Sequence, residues 1–297
     1  MDVYMRPELI QASKLLQSSD PQAVEEALRL LQSTVFSFSM KVCGHREDAE
    51  DTMQDVLLKS LPHLQKIENP QALAVWLYKV TRNHCWMSRR RSKFAPEQTL
   101  SLEDLMPDSA ELESLTHSTE QTPEAKVVSR QEADRVREAV LRIPPKYRLI
   151  LVLHDMEDLD TPEVARITGL TEGTVRVRLH RARLFVRREL AAPNGRRTAR
   201  KRKAAKPADC RKLFAGLSEY IDGRLDNLRC ERIRKHLQDC PPCIAFINDL
   251  NRAIERCRNY EVECDPRVST QLRQLLLQEY VRFTRPVEGD AQAGSRM

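Results

Sequence analysis

Residues 161–187 read TPEVARITGLTEGTVRVRLHRARLFVR, a pattern of two helices separated by a tight turn. Thr161 suits an N-cap, Pro162 at the first helical position sacrifices no hydrogen bond, and Glu163 faces the positive end of the helix dipole. Val164, Ala165 and Ile167 give this short helix an apolar side. Gly169 falls where the chain must turn through a left-handed conformation that a Cβ opposes. Thr171 then caps a second helix.

In that second helix Val175, Leu179, Ala182 and Val186 recur at i, i+4, i+7 and i+11, an apolar stripe on one face. The remaining surface is basic: Arg176, Arg178, His180, Arg181, Arg183, Arg187 and Arg188 lie within thirteen residues, and Glu172 is the only acid between Thr171 and Arg188. Two helices joined by a tight glycine turn, the second carrying exposed cations, form a helix-turn-helix whose second helix enters the major groove. The plainer alternative is a solvated cationic helix in a bundle. Helix, glycine turn, N-cap and one-sided arginines agree with each other, which favours DNA binding.

The 297 residues suffice for two or three small helical domains, and the expected class is all-α. The net charge of +6 understates the polarity, because acids and bases are segregated along the chain. No run of about 18 apolar residues occurs and the N-terminus lacks a signal-peptide core, so the expected setting is the cytosol with no membrane contact. In that compartment eight cysteines are better read as buried thiols or metal ligands than as disulfides. Six of them lie beyond residue 209.

Residues 1–23 are a weakly patterned lead-in with a short helix at Pro7–Gln17. From Val24 to Val42 the apolar positions keep helical spacing, a core helix. The next helix opens with Glu47, Asp48, Glu50, Asp51 and Asp55, continues with Met53, Val56, Leu57 and Leu61 on its buried side, and shows an acidic outer face with Gln54. By composition alone that face is a solvated one that satisfies the helix dipole. Asn69 and Pro70 mark a turn before a helix with Trp76, Leu77, Val80 and Trp86 that ends in Arg89, Arg90 and Arg91; aromatics beside cations suit single-stranded nucleic acid, though such a tryptophan is more often core. Between Pro96 and Ala125 stand eight acids and no Lys or Arg, the pattern of a flexible, self-repelling linker over 96–124. Helices resume after Ala125, are broken at Pro144 and Pro145, and buttress the helix-turn-helix.

The segments EDAEDTMQDVLLK (47–59), WLYKVTRNHCWMSRRR (76–91) and LRIPPKYRLILVLHDMEDLDTPEVARITGLTEGTVRVRLHRAR (141–183) resemble extracytoplasmic-function (ECF) sigma factors of the sigma-70 family. The resemblance implies region 2 over 24–95 and region 4 over 125–190, and a non-enzymatic role in transcription initiation. It implies that Asp48, Asp51, Gln54 and Asp55 dock on core RNA polymerase, in place of the solvated-face reading. It implies that Asn69, Gln71, Arg82, Asn83 and Arg89 to Arg91 capture a melted minus-ten element of promoter DNA, and that Thr174, Arg176, Arg178 and Arg181 read the minus-thirty-five element. Leu73 and Met87 depart from the residue types usual in the family at those positions.

A basic stretch follows over 191–209, with seven Lys or Arg from Arg196 to Lys206, and reads as a linker. Beyond it Cys210 is followed after 25 residues by His236, after three more by Cys240 and after two more by Cys243. A Cys-x-x-Cys knuckle with a histidine one turn upstream supplies three zinc ligands locally, and Cys210 completes a tetrahedral set for one Zn2+. A redox dithiol and unligated thiols are the competing readings; no strand pattern of a thioredoxin-like site surrounds the motif. Residues 210–258, with LSEYIDG at 217–223, also resemble the zinc-finger domain of zinc-binding anti-sigma factors. That similarity implies regulation, by folding back on the chain's own sigma regions or by contacting a separate partner. Cys230, Cys257 and Cys264 are surplus to the ligand set; sensing thiols are one reading and helix-packing thiols the favoured one. Residues 259–297 comprise an amphipathic helix over 268–283 and a disordered tail.

Two readings from other classes compete with a polymerase subunit: a stand-alone helix-turn-helix regulator, which has no need of residues 47–91, and a zinc-dependent anti-sigma-like interaction protein.

Overall fold

A computed structural model describes residues 6–18, 20–64, 66–89, 100–107, 111–113, 115, 130–191, 213–214 and 216–284. Among these residues every regular element is a helix. The 191–209 linker beyond Ala191, the 285–297 tail, most of 96–124, and Arg90, Arg91 and Cys210 lie outside the described residues. The chain divides into two compact units.

One unit is built from α1 (Pro7–Leu16), most of α2 (Pro21–Cys43), α3 (Arg46–Leu64), α4 (Pro70–Arg89) and, from the other end of the chain, α13 (Pro266–Thr284). Its core interleaves Leu9, Leu28, Leu31, Phe38, Met53, Leu57, Leu77 and Tyr78, with Phe38 and Tyr78 edge to face at 4.9 Å. Leu73 is fully buried here, so packing selects the aliphatic residue at that position. Asn69 starts α4, its Oδ1 accepting from the backbone of Gln71 and Ala72 at 2.8 and 3.2 Å. The terminal helix α13 lies against α3, burying Leu272, Leu276 and Tyr280. Gln32 Nε2 donates to the Ser269 carbonyl at 3.1 Å and fixes its register. The amphipathic pattern at 268–283 thus finds its apolar partner in α3, more than 200 residues upstream.

The other unit contains α5 (Leu102–Leu105), α6 (Arg130–Arg142), α7 (Pro145–Leu151) widened into a π turn at Val152–Met156, α8 (Thr161–Thr168), α9 (Glu172–Ala191), α10 (Leu217–Ile221), α11 (Asn227–Asp239) and α12 (Pro241–Arg258). The last turn of α2 belongs to it, with Lys41 Nζ donating to Glu157 Oε1 at 2.9 Å, both side chains fully buried. Helix α9 is the hub, touching α5, α6, α7, α8, α10 and α12. Its apolar stripe Val175, Leu179, Ala182 and Val186 is 0 or 1% exposed. Gly169 adopts φ 72°, the left-handed turn expected. Two expectations are corrected. The N-cap of α8 is Asp160, not Thr161: Asp160 Oδ1 accepts from the Glu163 backbone and the Glu163 carboxylate accepts from the Asp160 backbone, a reciprocal box that shifts Thr161 and Pro162 one position inward. The acidic 96–124 stretch is not free throughout: Leu105, Met106 and Leu112 are buried, and the Leu100 backbone donates to the Tyr147 hydroxyl at 3.3 Å. Interspersed leucines and nearby arginines outweigh the repulsion of its acids.

Arg183 of α9 is 1% exposed and binds Asp155 and Asp222, and without it the buried Asp155 carboxylate keeps only its contact with His154. Arg183→Met should therefore destabilise the full chain by about 3 to 5 kcal/mol, against about 1 kcal/mol for Asp160→Ala, measured by urea unfolding; the reverse order contradicts this packing.

Candidate nucleic-acid interface and metal centre

Helix α9 carries two polar stripes, and they have different fates. Thr174, Val177, Arg178 and Arg181 line an open groove with Lys146 of α7. Arg176, His180, Arg183 and Arg187, at i, i+4, i+7 and i+11, face the segment that follows residue 209. Arg176 Nε lies 3.8 Å from Glu219. His180 Nδ1 is 2.8 Å from Ser218 Oγ. Arg183 donates to Asp155 at 2.6 Å and to Asp222 at 2.8 Å. Arg187 donates to Asp249 at 3.1 Å and to Glu111, and stacks 4.4 Å above the Phe246 ring.

The expectation of a uniformly exposed basic face is thus corrected: His180, Arg183 and Arg187 are buried. Counting charge along one helix cannot detect acids that arrive from 28 to 76 residues away. Burial opposes ionisation of Asp155, but the Arg183 guanidinium and His154 outweigh it and hold the carboxyl well below its usual range. Burial, aided by the charges of Arg183 and Arg181, lowers His180 to about 4, so it is neutral at pH 7. Sequence reasoning missed Ser218, Glu219, Asp222 and Asp249 as partners of α9; the acids of LSEYIDG, downstream of a basic helix, were the available signal.

Of the residues assigned to polymerase contact, Asp51, Gln54 and Asp55 are exposed on α3 and Asp48 is half-buried. Asp55 accepts from Lys59 at 3.1 Å and meets His84 of α4 at 3.0 Å, and these contacts lower its pKa. The minus-ten candidates lie on α4 or at its start. Asn69 spends its Oδ1 on the cap, Gln71 is half-buried, and Arg82 donates to Asn83 Oδ1 at 2.6 Å. Arg89 ends the helix.

Three of the four proposed metal ligands come together. His236 ends α11, Cys240 sits at the break and Cys243 lies in the first turn of α12. Their ligand atoms lie within 4.8 Å of one another, with His236 Nε2 and Cys243 Sγ 3.2 Å apart. Tetrahedral zinc with bonds of about 2.0 to 2.3 Å separates its ligands by about 3.5 to 3.8 Å, so the donor types fit and the three atoms are gathered to nearly that spacing. Burial pushes the Cys257 thiol up to about 12, with the charge of Asp155 adding to the effect, and marks it as an inert packing group. Cys264 is also raised, by burial first.

Residues 27–94 match the model of sigma-70 region 2 and residues 133–186 that of sigma-70 region 4. Residues 210–243 match a putative zinc-finger family. The chain is 32% identical over 148 residues to the ECF RNA polymerase sigma factor SigM of Mycobacterium tuberculosis, spanning 50% of this chain and 67% of that protein. It belongs to the ECF RNA polymerase sigma factors. This sigma factor is also 24% identical over 177 residues to SigW of Bacillus subtilis, covering 60% of its own length and 94% of SigW. To the sigma-E factor of Streptomyces coelicolor it is 28% identical over 175 residues, 57% and 86% of the two chains. A sigma factor is a non-enzymatic initiation factor, and a match through residues 27–94 disfavours a stand-alone regulator. Among the described residues of the sigma factor no helix is long and apolar enough to cross a membrane.

His180 supplies a pH test of the buried stripe. Its folded pKa of about 4 lies below the ordinary 6.5, so the unfolded chain binds the proton first and stability is lost as pH falls from 6.5 toward 4. The melting temperature of His180→Gln should fall less steeply across that window than that of the wild type; parallel curves contradict the buried, neutral assignment.

Proposed function

We propose that this sigma factor is the promoter-selecting subunit of RNA polymerase in the cytosol, with its own zinc module acting on region 4 in cis. Asp48, Asp51, Gln54 and Asp55 of α3 hold core polymerase. Residues Asn69, Gln71, Arg82 and Asn83, with Arg89 to Arg91, take the melted minus-ten strand, where unstacked bases and phosphates need amide and cationic groups. Thr174, Arg176, Arg178 and Arg181 meet the minus-thirty-five element, bases first and phosphates beyond. His236, Cys240 and Cys243, completed by Cys210, hold one zinc ion, which joins α11 to α12 and so fixes the carboxylates that meet α9. The chemistry of RNA synthesis stays with polymerase.

The observation that carries the regulatory part is Glu219 at 3.8 Å from Arg176, a residue assigned to base reading. Promoter DNA and the module compete for that guanidinium, whereas Arg178 and Arg181 stay in the open groove. The docked module therefore weakens promoter reading without closing it. A plain structural zinc knuckle offers no reason for an acid against the reading residue.

Transcription reconstituted from core polymerase and the full chain on a promoter library tests both parts. Replacing Asp51 and Gln54 together by Ala should reduce polymerase association by about thirty-fold, since each lost polar contact costs about 1 kcal/mol. Glu219→Ala should tighten promoter binding by up to about five-fold, the range of a half-exposed ion pair, and zinc chelation should shift it the same way. No directed start site would remove the sigma reading; unchanged binding after both Glu219→Ala and chelation would remove the cis competition.

A further inference from the structure

We propose that Val177 reads the 5-methyl group of a thymine in the upstream promoter element, an inference that rests on α9 being the helix that enters the groove. Val177 is 52% exposed and is the one large apolar side chain exposed on α9. Every other large apolar residue of the helix is buried, including the stripe at Val175, Leu179 and Val186. An exposed β-branched residue lowers helix propensity relative to Ala, Lys or Arg and gains no packing in return. Single exposed apolar residues are common on protein surfaces, so the weight falls on the setting.

That setting is a groove whose wall alternates in chemistry. Thr174 stands one turn before Val177 and Arg181 one turn after it, Arg178 adjoins it, and Lys146 faces from α7. Each of these four offers a hydrogen-bond donor; Val177 offers two methyl groups. Gly173 borders the same groove, and nothing in the fold calls for a glycine there. Its φ is not positive, and a Cβ at that position would have no atom within 4 Å. A glycine in the first helical turn weakens the helix but lets another backbone approach closely. Groove, approachable backbone and surrounding donors describe a surface shaped for a base-pair edge. Of the four bases, thymine alone places a methyl in the major groove, and apolar side chains recognise it there. Arg178 and Arg181 beside Val177 suit guanine edges or phosphate, and Lys146 suits the phosphate of the facing strand. The favoured element therefore contains a thymine next to the positions that the arginines read.

The experiment uses the full chain with core polymerase. The preferred upstream element is selected from a randomised library, and each of its thymines is then replaced singly by deoxyuridine, which removes the methyl and nothing else. In the wild type one such replacement should weaken binding about four-fold, the effect of losing one buried methyl-sized group. In Val177→Ala, whose melting temperature should be equal to or slightly above that of the wild type because the side chain is exposed and Ala is the better helix former, the same replacement should have no effect. Binding unchanged at every deoxyuridine position in the wild type, or an equal loss persisting in Val177→Ala, overturns the assignment. If Arg178→Ala and Arg181→Ala leave the upstream sequence preference untouched, the groove reading of α9 itself fails, and the thymine assignment with it.

Discussion

Two guanidinium groups on one helix are buried, and the rest of the unit is arranged to neutralise them. Arg183 and Arg187 of α9 are each 1% exposed. A bare cation in that environment is untenable, so carboxylates must come to it. Asp155 comes from the π turn, Glu111 from the acidic stretch, Asp222 from the turn after α10 and Asp249 from α12. These acids are spread over more than 130 residues of sequence. Because each guanidinium bridges two of these acids, the helix-turn-helix, the acidic stretch and the zinc-finger segment are held as one unit. The same helix keeps its opposite polar stripe free of acids and open to solvent.

This division assigns separate tasks to one helix. Its apolar stripe packs the region 4 core, its buried cationic stripe meets the zinc-finger segment, and its third stripe lines the groove to which promoter reading is proposed. Arg176 stands at the border between the last two, paired with Glu172 in its own helix and near Glu219 of the module. The proposed competition between an internal carboxylate and a promoter rests on that position. The unit built on α3 keeps a similar economy: α4 and α13 occupy its apolar sides while Asp51, Gln54 and Asp55 remain exposed.

What was legible in the sequence was local and periodic. The Val175 to Val186 stripe, the turn at Gly169 and the knuckle of His236, Cys240 and Cys243 each depend on neighbours within about two turns of helix, and a linear pattern carries that information. The cap of α8 was misplaced by one residue because Asp160 and Thr161 are both competent caps, and only the reciprocal bond with Glu163 distinguishes them. The burial of Arg183 and Arg187 was hinted at only by the acids of LSEYIDG, which do not say which cation they meet. A run of arginines without intervening acids is the same string whether its partners are phosphates or distant carboxylates. Likewise the amphipathic pattern of α13 showed that it had a partner without showing that the partner was α3.

The central claim is that the buried cationic stripe of α9 fastens the zinc module through its carboxylates. A double-mutant cycle between Arg187 and Asp249, each replaced by Ala in the full chain and followed by chemical unfolding, measures that fastening directly. The account expects a coupling of at least about 1 kcal/mol between the two side chains. Additivity within about 0.3 kcal/mol would contradict it, because the Arg187–Asp249 contact would then fasten nothing.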